Sequence, residues 1–316
     1  GDTAYQVDKL GYAVDLNRYF SKDELSKYVD GYLEEGHFSS KDTLKIFPVA
    51  KSVELFMLNK TDWEKFANAT GASTNDLNTI EGVTKVAEQY YNWTDSLTAA
   101  LNDGKAFFGR DAFANYMLVG YRQLATDIFS KKDNKIVLNF EADIAKKLWD
   151  NYYVPYISGY FSSSGKFRSD DIKIGNILAC VSSSSSVTYF PKEVILNDEE
   201  SHSIELETFA CPKFKDGKDY VVQQGAGMVV LKSEEKEQQA AVEFLKWFTS
   251  DKQNIAFSNA SGYLPVTKSA NDLDKITDEV EVNESVKKTL NTSLKMISDN
   301  NMYTSCLLYT SPSPRD

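Results

Sequence analysis

The chain has 316 residues, 42% hydrophobic and 26% charged, with 46 acidic against 35 basic side chains and a formal net charge of −11. That balance lacks the basic face a nucleic-acid binder needs and is repelled by an anionic membrane surface, and no run approaches the ~18 apolar residues of a membrane span. Single cores stop growing near ~250–300 residues, so the length predicts two domains.

In chain order, Val14-Asp-Leu16 leads to Ser21-Lys-Asp-Glu24, a capping box that opens a helix with Leu25, Tyr28, Val29 and Tyr32 on one face. Leu44 to Leu58 is β-rich and predicts strands around Pro48. Helical spacing recurs from Val83 to Leu97, from Ala114 to Phe129, and through Ala142, Ala145, Leu148 and Tyr152. Ile172 to Val181 is strand-like and runs into the serines Ser182 to Ser186. Tyr220–Val222 and Met228–Leu231 are short β runs around Gln223-Gln-Gly-Ala-Gly227. Val286, Leu290, Leu294 and Ile297 mark a last helix. Strands alternating with helices predict an α/β fold.

Ala240 to Ala270 is the most informative stretch. Ala241, Leu245 and Phe248 lie at helical spacing, with Ser233 as a cap and Glu234 and Glu235 in the first turn. Ser250 and Gln253 have capping-box spacing for a second short helix, which Gly262 stops and Pro265 keeps from resuming. The wording Ala-Ala-Val-Glu-Phe-Leu-Lys-Trp, followed by Ser-Gly-Tyr-Leu-Pro-Val, resembles the extracellular solute-binding proteins of bacterial ABC importers. The cluster it resembles most binds sugars and glycerol phosphate. The resemblance is specific over this stretch and looser from about residue 10 to 300.

The resemblance implies a two-lobed, periplasmic-binding-protein-like α/β fold of type II, truncated at both ends. Its implied organisation is a partial N-terminal lobe over 1–50, a C-terminal lobe over 51–222, a return into the first lobe over 223–262 and a further lobe-crossing helical segment over 263–305. Ligand lies in the cleft between lobes that the chain crosses near Phe47 to Leu55 and near Gln223 to Met228. The implied partners are a carbohydrate ligand and ABC permease subunits. The implied place is outside the cytoplasmic membrane, in the periplasm or lipid-anchored at its outer face, and the expected state is a monomer.

Residues alone give little sign of catalysis. His37 and His202 fall in no metal-binding motif, the glycines form no phosphate loop, and Gly225-Ala-Gly227 lacks the rest of a dinucleotide fingerprint. Carboxylates are plentiful, but sequence does not show the paired spacing that glycoside hydrolysis requires. No catalytic residue, metal site or cofactor is predicted. Cys180 and Cys211 sit in apolar, strand-like contexts without CxxC spacing; buried free thiols are expected, with a disulfide as the alternative in an exported chain.

Binding signals are stronger. Ser182 to Ser186 follow a strand, where hydroxyls and free N–H groups can hold a sugar or a phosphate; the alternative is a flexible serine loop. In the resemblance the matching segment faces the ligand, which singles out Ser184, Ser185 and Ser186. Gln224 can donate and accept at once, and Gly225, Ala226 and Gly227 let backbone approach a ligand, or else serve a hinge or bulge. Asp111 is either a helix N-cap or, by the resemblance, a cleft carboxylate taking sugar hydroxyls, while Arg110 could bind a charged group. Phe47, Ser52 and Glu54 occupy the implied first crossing. Tyr263 can pack or stack on a sugar, as can others among the 18 Tyr, 18 Phe and 4 Trp, most of which fill cores. Asn59 in Leu-Asn-Lys reads as structural.

The leading function is therefore capture of a carbohydrate by lobe closure for an importer. The same fold binding glycerol phosphate or another anion is the alternative, and a carbohydrate-active enzyme or a sensor ectodomain comes from other classes. The residues Cys306 to Asp316 carry no period and match, residue for residue, the translation of a transposase-based sequencing adapter. Native sequence is expected to end near Ser305, with the signal segment upstream of Gly1. Sequencing the genomic locus checks this: it should not encode Cys306–Asp316, and finding them encoded there overturns the assignment.

Overall fold

A computed structural model describes residues 2–37, 40, 42–125, 127–132, 135–272, 274 and 283–304. The tail from Cys306 lies outside the described residues. Helix α1 (Asp2–Lys9) comes first. The capping box then forms as predicted: the Ser21 amide donates to Glu24 Oε2 at 2.7 Å and the Glu24 amide to Ser21 Oγ at 3.1 Å. The helix it opens is short. The predicted face from Leu25 to Tyr32 divides between α2 (Lys22–Leu25) and α3 (Asp30–Glu34), because Tyr28 bridges Thr267 and the Val29 amide donates to Val266 O. Long-range pairing there overrides helical spacing.

The stretch around Pro48 forms one buried strand, β1 (Phe47–Asn59), rather than several. Pro48 is tolerated because the register shifts between Pro48 and Ala50, a bulge where the missing N–H does no harm. Asn59 ends the strand structurally, its Oδ1 accepting from the Asp62 amide at 3.1 Å to cap α4 (Lys60–Thr70).

Then come α5 (Ile80–Asp95), β2 (Phe108–Arg110) and α6 (Phe113–Leu124). The hairpin β3 (Phe129–Lys132) and β4 (Lys135–Leu138) takes Phe129 out of the predicted helix. Next come α7 (Ala142–Asp150), α8 (Tyr153–Ile157) and α9 (Arg168–Lys173). Strand β5 (Ala179–Ser183) begins later than predicted, since Ile172 lies in α9. A second hairpin, β6 (Glu193–Ile195) and β7 (Ser201–Ser203), leads to β8 (Leu206–Ala210). The first predicted β run extends through the glycines as β9 (Tyr220–Met228), because β1 supplies a ladder opposite Gln223–Met228, whereas Val229–Leu231 of the second run lie outside it, with Leu231 bridging Ala13. The predicted helix pair is α10 (Glu235–Phe248) and α11 (Asp251–Ser261), and α12 (Glu284–Asp299) precedes β10 (Asn301–Tyr303). Gly262 ends α11 at φ 72°, the left-handed cap predicted for it. Ser233 and Ser250 cap nothing with their side chains: Glu234 is the N-cap of α10, and the Ser250 hydroxyl donates back to Trp247 O at 2.7 Å.

The main sheet runs β10-β9-β1-β5-β2, with β8 also on β1. Residues 47–53 of β1 pair antiparallel with β9, and residues 54–59 run antiparallel to β5 and β8. One core cluster gathers Val14, Leu16, Phe20, Phe47, Val49, Val230, Leu245 and Val266, the first lobe. Another gathers Phe56, Trp63, Phe66, Val86, Phe107 and Val181 in the second lobe. A third joins Val53, Leu55 and Met57 of β1 to Ile255, Leu264 and Leu290 at the waist. Buried Asn254 stitches this region, donating to Val49 O at 2.9 Å and accepting from the Val266 amide at 2.8 Å.

The helix pair is tied to α2 by Lys246 Nζ, 2.7 Å from Glu24 Oε1. Hydrogen bonds from Lys246 and from the Ser21 backbone hold Glu24 down to about 2, below its ordinary 4.5. A depressed carboxyl contributes stability above its unfolded pKa and loses it as pH falls through the folded one. Thermal melts should find the wild type more stable than Glu24→Gln at pH 6. The difference should shrink from about pH 4.5 downward and vanish near pH 2; a constant difference across that window contradicts this.

Candidate functional site

β2 and β5 are parallel, so their carboxyl ends, Arg110 and Ser183, open on the same side of the sheet. Crevices outside the carboxyl ends of parallel strands are where α/β folds hold ligands. β1 runs antiparallel there, with Glu54 opposite Ser183 and Ser52 opposite Gln224 of β9. The sheet therefore brings Ser52, Asp111, the serine segment and Gln224 close together across β1, β2, β5 and β9.

Asp111 follows directly on β2. Its Oδ1 accepts from the Arg168 amide at 2.9 Å and its Oδ2 from the Ser182 hydroxyl, whose oxygen lies 2.7 Å from Ser186 Oγ. It does not act as the side-chain cap of α6, whose N-cap is Ala112. The serine segment becomes a short 3-10 helix, Ser184–Tyr189, entered through Ser183, whose hydroxyl is 2.9 Å from Ser185 Oγ. Ser184 is wholly buried, and its hydroxyl has no hydrogen-bond partner among the described residues. Gly262 packs on the same turn: a Cβ there would lie 3.0 Å from Ser184 O and 3.2 Å from Ser185 Cα. Tyr263, half-buried, follows at once.

Gln224 presents a buried Oε1 without a partner. Gly225 has φ 114°, and a Cβ on it would come 2.4 Å from Ala50 O, so only glycine lets β9 approach the bulge of β1. Ala226 and Gly227 are exposed further along β9, opposite Ala50 and Pro48. Phe47 is not at the crevice surface. Its ring is fully buried in the first lobe, stacked on Phe20 at 4.4 Å.

Glu54 also points into protein. Its Oε2 is 2.6 Å from Arg110 Nη2 and its Oε1 accepts from Asn115 Nδ2 at 2.9 Å, with all but Asn115 nearly solvent-free. Burial disfavours the guanidinium charge, but Glu54 outweighs it and the Arg110 pKa is raised. Cys211 Sγ lies 3.8 Å from Arg110, and burial pushes its thiol up to about 11. Cys180, on the opposite side of β1, is buried and likewise shifted upward; both thiols are free.

Sequence reasoning missed Arg168 and Phe113. Arg168 is buried, donating to Gly165 O at 2.5 Å and pairing with Asp171, while its amide orients Asp111. Nothing local connects residues so far apart in sequence. Phe113, 51% exposed, stands at the start of α6 two residues beyond Asp111, and Phe167, 52% exposed, precedes Arg168. An aromatic in the first turn after an acidic residue was the available signal for Phe113.

The histidines are structural clasps: His37 Nδ1 lies 2.9 Å from Thr43 O and His202 Nε2 2.8 Å from Asp62 Oδ2. Among the described residues no group of His, Cys, Asp and Glu could hold a metal ion, and no helix is long and apolar enough to cross a membrane.

The buried pair makes a sharp expectation. Breaking one partner leaves an uncompensated charge, at a cost of about 3–5 kcal/mol, whereas replacing both by apolar groups is often near neutral. Urea denaturation should show Glu54→Leu strongly destabilised and Glu54→Leu with Arg110→Met close to wild type; equal losses in both contradict a charge-compensation role.

Comparison with curated proteins gives no match. Among solved structures, UgpB from Mycobacterium tuberculosis in complex with glycerophosphocholine superposes with a TM-score of 0.71 at 16% identity, over 95% of this chain and 69% of that one. The cyclic alpha-maltosyl-1,6-maltose binding protein from Arthrobacter globiformis gives 0.69 at 19%, over 97% and 73%. Lmo0181, an ABC substrate-binding protein from Listeria monocytogenes in complex with cycloalternan, gives 0.70 at 13%, over 97% and 73%. At these identities the likeness shows the fold. The family model for bacterial extracellular solute-binding proteins matches residues 1–284, and the chain belongs to that family.

Proposed function

We propose that this solute-binding protein captures a sugar or oligosaccharide at its waist, closes its lobes on it and hands it unchanged to ABC permease subunits outside the cytoplasmic membrane, acting as a monomer. In this reading the first lobe comprises residues 1–50 and 223–262, the second 51–222, and 263–305 crosses again.

Asp111 carries the proposal. Its carboxylate is fixed by Ser182 and the Arg168 amide at the strand ends. Of the neighbouring guanidinium groups, Arg110 is committed to Glu54, while Arg168 pairs with Asp171 and its Nε also lies 3.7 Å from Asp111 Oδ1. A carboxylate in such a wall accepts hydrogen bonds from hydroxyls. Phe113, two residues further on, has exposed ring surface for sugar C–H groups. Ser185, Ser186, Gln224, Gly225, Ala226, Gly227 and Tyr263 supply polar and backbone contacts, with Ser52 and Ser184 buried behind them. Phe47 and Glu54 support the wall from behind. Similarity to a cyclic alpha-maltosyl-1,6-maltose binding protein and to a substrate-binding protein in complex with cycloalternan fits this reading. Glycerol phosphate is the second reading, favoured by the likeness to a glycerophosphocholine complex.

A thermal-shift panel of maltooligosaccharides, mannobiose, glycerol 3-phosphate and glycerophosphocholine tests this, since ligand at a hundredfold its Kd stabilises the native state by about 2.7 kcal/mol. A sugar should raise the melting temperature. Asp111→Asn should weaken that sugar by about 10–100-fold, the loss of a charge-assisted hydrogen bond. A response to the phosphates alone supports the second reading, and mass spectrometry finding cleaved sugar would make the protein an enzyme.

A further inference from the structure

Lys51 and Glu54 lie three residues apart on β1 and so project from opposite faces of the strand. Each is buried, and each is tied to a different lobe. Lys51 Nζ sits 2.6 Å from Glu35 Oε2, at the carboxyl end of α3 in the first lobe, and 5.8 Å from the centre of the Tyr32 ring. Glu54 is tied to Arg110 of β2 and Asn115 of α6 in the second. Ser52 and Val53 alone lie between the two anchors.

The other crossings show the same division. Gln223 of β9 donates from Nε2 to the same Glu35 oxygen at 2.9 Å and to Gly31 O at 3.2 Å. Its neighbours on the amino side belong to the second lobe: Tyr220 O accepts from Gln123 Nε2 at 2.8 Å, and residues 220–222 pair with β10. Leu264, on the return path from α11, bridges Lys51 on the first-lobe side of this division.

We propose that Glu35 is a positioning residue that fastens two crossing strands to the first lobe, confining interlobe bending to Ser52–Val53 and the Val222–Gln223 junction. These joints lie next to Gln224, a candidate ligand contact opposite Ser52, so a ligand touching it lies beside the bending point. This rests on the reading of the chain as a protein that closes around a solute.

Amide hydrogen exchange on the ligand-free protein tests it, because exchange reports local opening segment by segment. Wild-type amides at Ser52–Val53 and Gln223 should exchange at least about 10-fold faster than those at Leu55–Leu58. In Glu35→Gln the fast zone should spread to Ala50–Lys51 and Gly225–Ala226, leaving Leu55–Leu58 unchanged. The double variant Lys51→Met with Glu35→Met, which leaves no buried charge unpaired, should show the same spread. Uniform protection along β1 in the wild type overturns the proposal, as does a change in either variant that is absent or reaches Leu55–Leu58. The ligand panel with maltotriose is read separately: a sugar response without this exchange pattern overturns only the hinge, and the pattern without any ligand response overturns only the functional reading.

Discussion

Every buried amide and carbonyl of β1 must be hydrogen-bonded, and the strand meets that demand in two different bodies. Its first half is paired by β9 and packed under the first lobe, and its second half lies between β5 and β8 in the second. An unpaired buried backbone group costs as much as a lost hydrogen bond, so neither lobe can leave the strand without exposing its own ladder. The remaining architecture follows from this shared strand. β9 must run unbroken through its glycines to match it, Gly225 must lack a side chain to clear the bulge at Ala50, and Leu264 must return to Lys51.

Electrostatics then separates support from site. Arg110 with Glu54 and Arg168 with Asp171 are buried pairs whose charges are mutually compensated. Buried pairs of this kind add little net stability, but each is costly to break. They hold β1, β2 and the loop before α9 in fixed relation. Asp111 lies beside these pairs, oriented by a backbone amide and a serine hydroxyl and 3.7 Å from Arg168 Nε. In the proposed function it accepts from a hydroxyl-bearing ligand. That arrangement is pre-organised, since Asp111 and Ser182 are already in place without ligand, which lowers the ordering cost of binding.

The aromatic load has a corresponding division. Phe47, Phe20 and Tyr28 pack as a cluster in the first lobe, and Phe66, Tyr90, Trp93 and Phe107 form another in the second. Core filling accounts for these rings. Phe113 and Phe167 differ in being half-exposed, Phe113 resting its ring on Tyr116 and Tyr152.

The sequence by itself determined the local signals: the Ser21–Glu24 box, the helix pair with its Gly262 stop, the capping Asn59 and the family wording of Ala240–Ala270. It also carried the serine segment and Asp111 as polar groups at strand ends. These are legible because caps, left-handed glycines and apolar spacing act between residues a few positions apart. Only the tertiary structure decided which candidates meet. It broke the helix at Tyr28 by pairing it with Thr267, extended the first β run through the glycines as β9, buried Phe47, and turned Glu54 onto an arginine while an unforeseen Arg168 came to orient Asp111. Glu54 and Arg110, or Lys51, Glu35 and Gln223, have no local spacing to announce them. Their partnerships arise from the strand alternation and ladder register of β1, which only the assembled sheet defines.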